Sequence, residues 1–308
     1  MSSKVLIGIT KNVRFAIADT TEIGNKALEK YPTEAFMCKT EFELITIASL
    51  LSGNVKGDNT KYSIVVKGDK LLGNSKVRNG ANGKIMSSSR FNPEQLTEFL
   101  DAIKNENIDK FHELYTMGKG VVYFESDYGL KFPYVTEIEL EENDSMTNVI
   151  TDFYERSDQI PTIISTSVLE SEDNKDVLFM GGILIQLLPS GDKKVLEKLR
   201  KKIDMIHSVP VLLKHNFSLE KIAEILFENV DKRTKAKNIE DYKILEIKDL
   251  EYTCDCSREK FQDLLTRIST KDELLNMLKE DGKIEAVCSF CEKPYIFLDY
   301  KEFEKSLN

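Results

Sequence analysis

The chain has 308 residues, of which 41% are hydrophobic and 31% charged, with 52 acidic against 43 basic side chains and a formal net charge of -9. That length allows more than one hydrophobic core. The acidic balance argues against a broad surface for nucleic acid or for an anionic membrane, since both require excess lysine and arginine.

The apolar run 5–9 behind Lys4 is too short for a secretory signal. The longest apolar runs, 44–51 and 181–188, fall far short of a membrane span. The cytoplasm is therefore the expected compartment. Five cysteines are an odd count for a disulfide scaffold, and four of them crowd into the last fifth of the chain.

In chain order, residues 21–30 are expected as a short helix stopped by Pro32. A longer helix over 34–52 is closed by Gly53, and its apolar positions Phe36, Met37, Leu44, Ile47, Ala48 and Leu51 partly follow the helical period. Strands are expected at 62–67, 71–77 and 84–89, the last two flanking the Asn-Gly steps of 79–83. Pro93 opens a helix to about 104, with Leu96, Phe99, Leu100 and Ile103 on one face. Strands at 121–124 and 135–140, a helix at 148–156, and strands at 162–169 and 177–188 complete the region. Helices and strands mix without βαβ regularity, so residues 1–191 read as an α+β domain.

After Gly191 the pattern becomes helical. Val195, Leu196, Leu199 and Ile203 recur at helical spacing. So do Leu219, Ile222, Ala223, Leu226, Phe227 and Val230, while 231–241 form a charged hinge without apolar period. Residues 192–250 are expected as a helical connector whose apolar stripes pack on the first domain. Cys38 reads as a small buried thiol. His112, His207 and His215 are scattered, Gly118-Lys119-Gly120 is too short for a phosphate loop, and no enzyme motif is found.

The tail, 251–308, carries Cys254-Asp255-Cys256 and, after a gap of 31 residues, Cys288-Ser289-Phe290-Cys291. Two close cysteine pairs with no nearby histidine point to zinc held by four thiolates, each pair supplying two adjacent corners of a tetrahedron. The intervening segment has the parts to fold back. Phe261, Leu264, Leu265 and Ile268 make a helical stripe. Thr270 and Glu273 form a capping box for a second helix, and Gly282 closes it. Strands are expected on either side of the second pair, at 284–287 and 294–298.

These words resemble the redox-regulated 33 kDa heat-shock chaperonin family. That family ends in Cys-x-Cys, a gap near thirty residues, and Cys-x-x-Cys. The stretches 254–259, 280–285 and 295–297 are similar to it, as are 66–69, 154–162 and 181–189 upstream. At Gly83-Lys84-Ile85-Met86 the chain departs from an Arg-Gly-Tyr step usual in the family. The resemblance implies a non-enzymatic, ATP-independent holdase for unfolded proteins, switched on by oxidation. It further implies disulfides Cys254–Cys256 and Cys288–Cys291 with loss of zinc, and a homodimer when active. The stripe Leu219, Ile222, Leu226 and Phe227 then becomes a candidate client-binding surface.

Two other readings compete. A zinc-ribbon-like nucleic-acid module is opposed by the tail's 13 acidic against nine basic side chains. A thiol–disulfide oxidoreductase would place Cys288 and Cys291 at a helix start after a strand, where a strand-flanked knuckle is expected instead.

Overall fold

The computed structural model describes residues 2–30, 35–54, 60–80, 82–128, 133–229 and 238–303. They form two compact units, Met1–Tyr252 and Thr253–Asn308.

The first unit opens with a hairpin of β1 (Lys4–Thr10) and β2 (Val13–Asp19). Its tight turn is closed by Thr10, whose hydroxyl oxygen accepts from the backbone N–H groups of Asn12 and Val13 at 3.0 and 2.9 Å. Gly8 is required where Phe15 crosses, because a Cβ there would lie 2.2 Å from the Phe15 ring. The short helix α1 (Thr21–Leu28) follows, and then a 3₁₀ turn (Ala35–Cys38) leads into α2 (Lys39–Leu51).

The chain next lays down β3 (Lys61–Gly68), β4 (Asn74–Gly80) and β5 (Lys84–Ser89), the helix pair α3 (Pro93–Lys104) and α4 (Ile108–Leu114), and then β6 (Gly120–Asp127) and β7 (Tyr134–Leu140). Helix α5 (Met146–Arg156) and the long hairpin β8 (Thr162–Glu170) and β9 (Val177–Leu187) follow. Helices α6 (Lys193–Met205), α7 (Val209–Lys214) and α8 (Leu219–Phe227) come next, before β10 (Tyr242–Asp249) and the two-residue β11 (Glu251–Tyr252).

Two sheets result, with strand orders β10-β1-β2-β9-β8 and β11-β5-β4-β3-β6-β7. Helix α2 packs against strands of both. Its buried residues therefore run almost continuously from Thr40 to Leu51. A helix enclosed on all sides has no polar face, which is why its sequence follows the helical period only in part. The other face of the first sheet is covered by α6, α7 and α8. Leu6, Phe15, Ile17, Ile183 and Ile185 meet Leu196, Leu199, Ile222, Leu226 and Phe227 there. Neighbouring β1 residues Val5 and Leu6 thus lie in different cores, one on each face of the sheet.

The expected connector is helical only in part. Residues 192–250 fold within the first unit, and β10 pairs antiparallel along the whole of β1. A half-exposed edge strand lacks a clean alternation of apolar residues, so the Tyr242–Asp249 strand is invisible until β1 stands beside it. Helices α4 and α7 are likewise new, and the strand expected at 71–77 begins at Asn74 after a turn. Pro32, Ala81, Val230 and most of the charged hinge 231–241 lie outside the described residues.

The second unit comprises α9 (Arg258–Ile268), α10 (Lys271–Asp281) and the hairpin β12 (Ile284–Val287) and β13 (Pro294–Phe297). Ser257 caps α9 by accepting from Lys260 N–H. Thr270 and Glu273 form the reciprocal capping box of α10, and Gly282 ends that helix in the left-handed region at φ 69°. The small core consists of Leu274, Ile284, Phe290, Tyr295, Phe297, Tyr300 and Phe303. Helix α9 buries none of its residues fully.

Candidate metal centre

Cys254 and Cys256 lie on the extended stretch entering α9, just before its cap Ser257. Cys288 follows the last residue of β12, and Cys291 sits in the turn to β13. That turn is a knuckle. Cys288 N–H donates to the Lys293 carbonyl at 3.0 Å and Glu292 N–H to the Cys288 carbonyl at 2.9 Å, with Glu292 at φ 57°. The reversal brings two cysteines three positions apart to one point.

The four sulfurs all lie within 4.8 Å of one another. Cys254 Sγ is 3.7 Å from Cys288 Sγ, and Cys256 Sγ is 3.4 Å from Cys291 Sγ. Zinc–sulfur bonds of about 2.3 Å give a tetrahedral edge of about 3.8 Å. A disulfide needs about 2.05 Å. The spacing therefore suits four thiolates around one ion, and all four cysteines are unbridged. Both of these contacts cross between the two pairs, so each pair faces the other around one centre.

The surroundings favour thiolate at Cys288 and oppose it at Cys254 and Cys291. Burial raises the Cys288 thiol, but hydrogen bonds to its sulfur from the backbone N–H groups of Cys291 and Phe290 and from the Cys291 and Cys254 thiols together outweigh that effect, bringing it to about 7. Burial keeps Cys254 well above the ordinary thiol range, and pushes Cys291 up as well. An ion with two positive charges reverses that preference, since thiolate is the ligand form.

Tyr295 donates its hydroxyl to Cys256 Sγ at 3.1 Å and stacks on Phe261, ring centroids 4.8 Å apart. That bond holds the phenol proton in place and raises the Tyr295 hydroxyl above its usual range. Nothing in the spacing of the cysteines marks Tyr295. Only its place two residues into β13, pointing inward, brings it to the sulfur. Arg258 ties the unit together by bonding Glu302 and the Ile296 carbonyl while lying over the Phe297 ring.

The remaining sequence candidates stand elsewhere. Leu219, Ile222, Leu226 and Phe227 are buried beneath the first sheet, Phe227 against Phe15 and Tyr242 at 4.8 and 4.9 Å. Cys38 is buried beside α2, and burial drives its thiol far above the ordinary range. Among the described residues, the four tail cysteines are the one group of cysteine, histidine and carboxylate side chains placed to hold a metal ion, and no histidine takes part. Cys288 and Cys291 occupy a loop between two strands, not the helix start of a dithiol oxidoreductase. No described helix is long and apolar enough to cross a membrane.

Comparison with known proteins bears on the whole chain. The family described as Hsp33 protein matches residues 5–298. A 33 kDa chaperonin of Caldanaerobacter subterraneus subsp. tengcongensis is 32% identical over 297 residues, spanning 96% of this chain and 94% of that protein. A 33 kDa chaperonin of Acholeplasma laidlawii is 28% identical over 299 residues, spanning 96% of each. The crystal structure of a 33 kDa chaperonin from Thermotoga maritima superposes with a TM-score of 0.67 at 21% identity, covering 99% of this chain and 97% of that one.

Proposed function

The chain belongs to the Hsp33 family, and from that premise we propose that it is an ATP-independent holdase of the cytoplasm that oxidation activates. The observation that carries the reading is the cluster of four sulfurs within 4.8 Å. Cys254, Cys256, Cys288 and Cys291 are the residues that would hold one zinc ion per chain. Bound there, zinc supplies crosslinking of the four strand and loop ends, which is folding energy for a unit with so small a core.

The chain's own chemistry then follows. A thiolate attacks a peroxide-class oxidant, the O–O bond breaks, and a sulfenic acid forms with release of one water equivalent. The partner thiol displaces the second water and closes the disulfide. Two thiols and one peroxide thus give one disulfide and two waters. Family resemblance pairs Cys254 with Cys256 and Cys288 with Cys291. Disulfide sulfur is no longer a thiolate ligand, so the second unit loses its crosslink and unfolds.

In this reading, release of the second unit loosens α6 to β10 and uncovers Leu219, Ile222, Leu226 and Phe227. That apolar stripe receives unfolded clients, and the active form is a homodimer. The test combines peroxide-driven zinc release with suppression of aggregation of an unfolded client. Zinc release and holdase activity should rise together and reverse with a dithiol reductant. Full holdase activity in zinc-loaded, reduced protein would sink the proposal.

A further inference from the structure

Tyr252 is the last residue of the first unit, and only Thr253 separates it from Cys254. Its strand, β11, pairs in parallel with β5 at two positions, Glu251 with Lys84 and Tyr252 with Ile85. Leu250 N–H donates to the Ser3 carbonyl and Glu251 N–H to the Gly83 carbonyl, at 2.9 and 3.0 Å. So short a ladder holds weakly without side-chain support.

The support comes from the Tyr252 hydroxyl. It lies 3.0 Å from Ser87 Oγ and 3.3 Å from the Ser87 carbonyl oxygen. Ser87 donates its single hydroxyl proton to Glu41 Oε1 at 2.6 Å. The proton between Tyr252 and Ser87 Oγ must then come from Tyr252. The result is a directed chain from Tyr252 through Ser87 to a carboxylate on α2, the helix shared by both sheets, with Ser87 and Glu41 fully buried. Bonds in series that end on a carboxylate strengthen one another. Lys30 adds to the cluster, its Nζ donating to the Ser87 carbonyl at 2.8 Å and standing 4.5 Å over the Tyr252 ring.

The geometry points to Tyr252 as a latch that passes the state of the cysteine unit to the sheets of the first unit. The inference rests on reading the four cysteines as a metal site released by oxidation. While Cys254 is fixed, the chain leaving Tyr252 is tethered at both ends and β11 keeps its place. Once Cys254 is free, β11 is held by two ladder positions, the hydroxyl chain, the Lys30 contact and packing of the Tyr252 ring on the first core, and of these the hydroxyl chain is the one anchored on α2. Release of β11 frees the end of β10 at Asp249, two residues upstream. Among the described strands β10 is an edge that pairs with β1 alone. Its first residue, Tyr242, stacks on Phe227 at 4.9 Å. A continuous route thus runs from Cys254 through Tyr252 and β10 to the buried α8 stripe.

The test compares full-length wild type, Tyr252→Phe and Ser87→Ala, reduced and zinc-loaded, by amide exchange. In Tyr252→Phe, exchange across 243–252 should quicken roughly tenfold, the scale of a lost buried hydrogen bond. Zinc content and exchange across 284–297 should stay at wild-type level. Ser87→Ala should reproduce the effect, and the double variant should add little. After peroxide, zinc should leave the Tyr252→Phe variant at the wild-type rate, but exchange across 219–227 should follow sooner. Wild-type exchange across 243–252 in both single variants overturns the latch. Failure of wild type to release zinc under peroxide would overturn the redox reading instead, and the exchange comparison in reduced protein separates the two results.

Discussion

The two units of this chain keep their shape by different means. In the first, α2 is buried between two sheets and α6, α7 and α8 cover a further face, so dozens of apolar side chains are shielded. In the second, α9 buries no residue fully and α10 buries only Leu274. Leu264, Ile268, Met277, Val287 and Leu298 remain exposed. A unit of 56 residues with that core is marginal by itself. Four sulfurs lie within reach of one ion there, and in the proposed reading a bound metal compensates for the small core. In that reading the contrast teaches where a chemical signal can act, because removing a ligand acts first on the part that depends on it.

The sharpest way to break this comparison is Cys288→Ser. Bound zinc should fall to a small fraction of one equivalent, and the second unit should become sensitive to protease, followed by 192–252, while 1–191 stays resistant. Metal analysis beside limited digestion reads both. Full zinc content in a protein lacking both Cys254 and Cys288 would refute the four-thiolate site.

Phe227→Ala tests the other side of the contrast. The ring is fully buried against Phe15 and Tyr242, so truncation should cost the first unit about 3 to 5 kcal/mol in chemical denaturation. Zinc content should not change. A loss below about 1 kcal/mol would mean that α8 is not held by this packing.

A smaller effect is expected from Thr270→Ala, which removes the capping box of α10. The helix should lose about 1 kcal/mol. On the proposed coupling of metal binding to folding in the second unit, zinc affinity measured by competition should fall roughly fivefold. An unchanged affinity would show that this unit is folded independently of its metal.

The smallest effect belongs to Cys38→Ser. Burial holds that thiol far above the ordinary range, leaving almost no thiolate to react. Peroxide-driven zinc release should be indistinguishable from wild type, and loss of the response would make Cys38 a sensor.

Amino-acid order by itself determined the features whose constraints are local. Two cysteine pairs at knuckle spacing bring sulfurs together whatever surrounds them. The Thr270–Glu273 box and Gly282 fix the ends of α10 through bonds within four residues, and the stripe of α8 is legible because one face alone is buried. Tertiary structure alone decided the rest. Helix α2 lacks a clean period because neighbours on every side bury it, and β10 is a strand because β1 offers its edge. Tyr295 reaches Cys256 only when β13 folds back on β12, and Tyr252 reaches Ser87 across 165 positions of chain. Hydrogen bonds and burial between distant segments depend on where the chain returns to itself, and no local pattern of residues encodes that return.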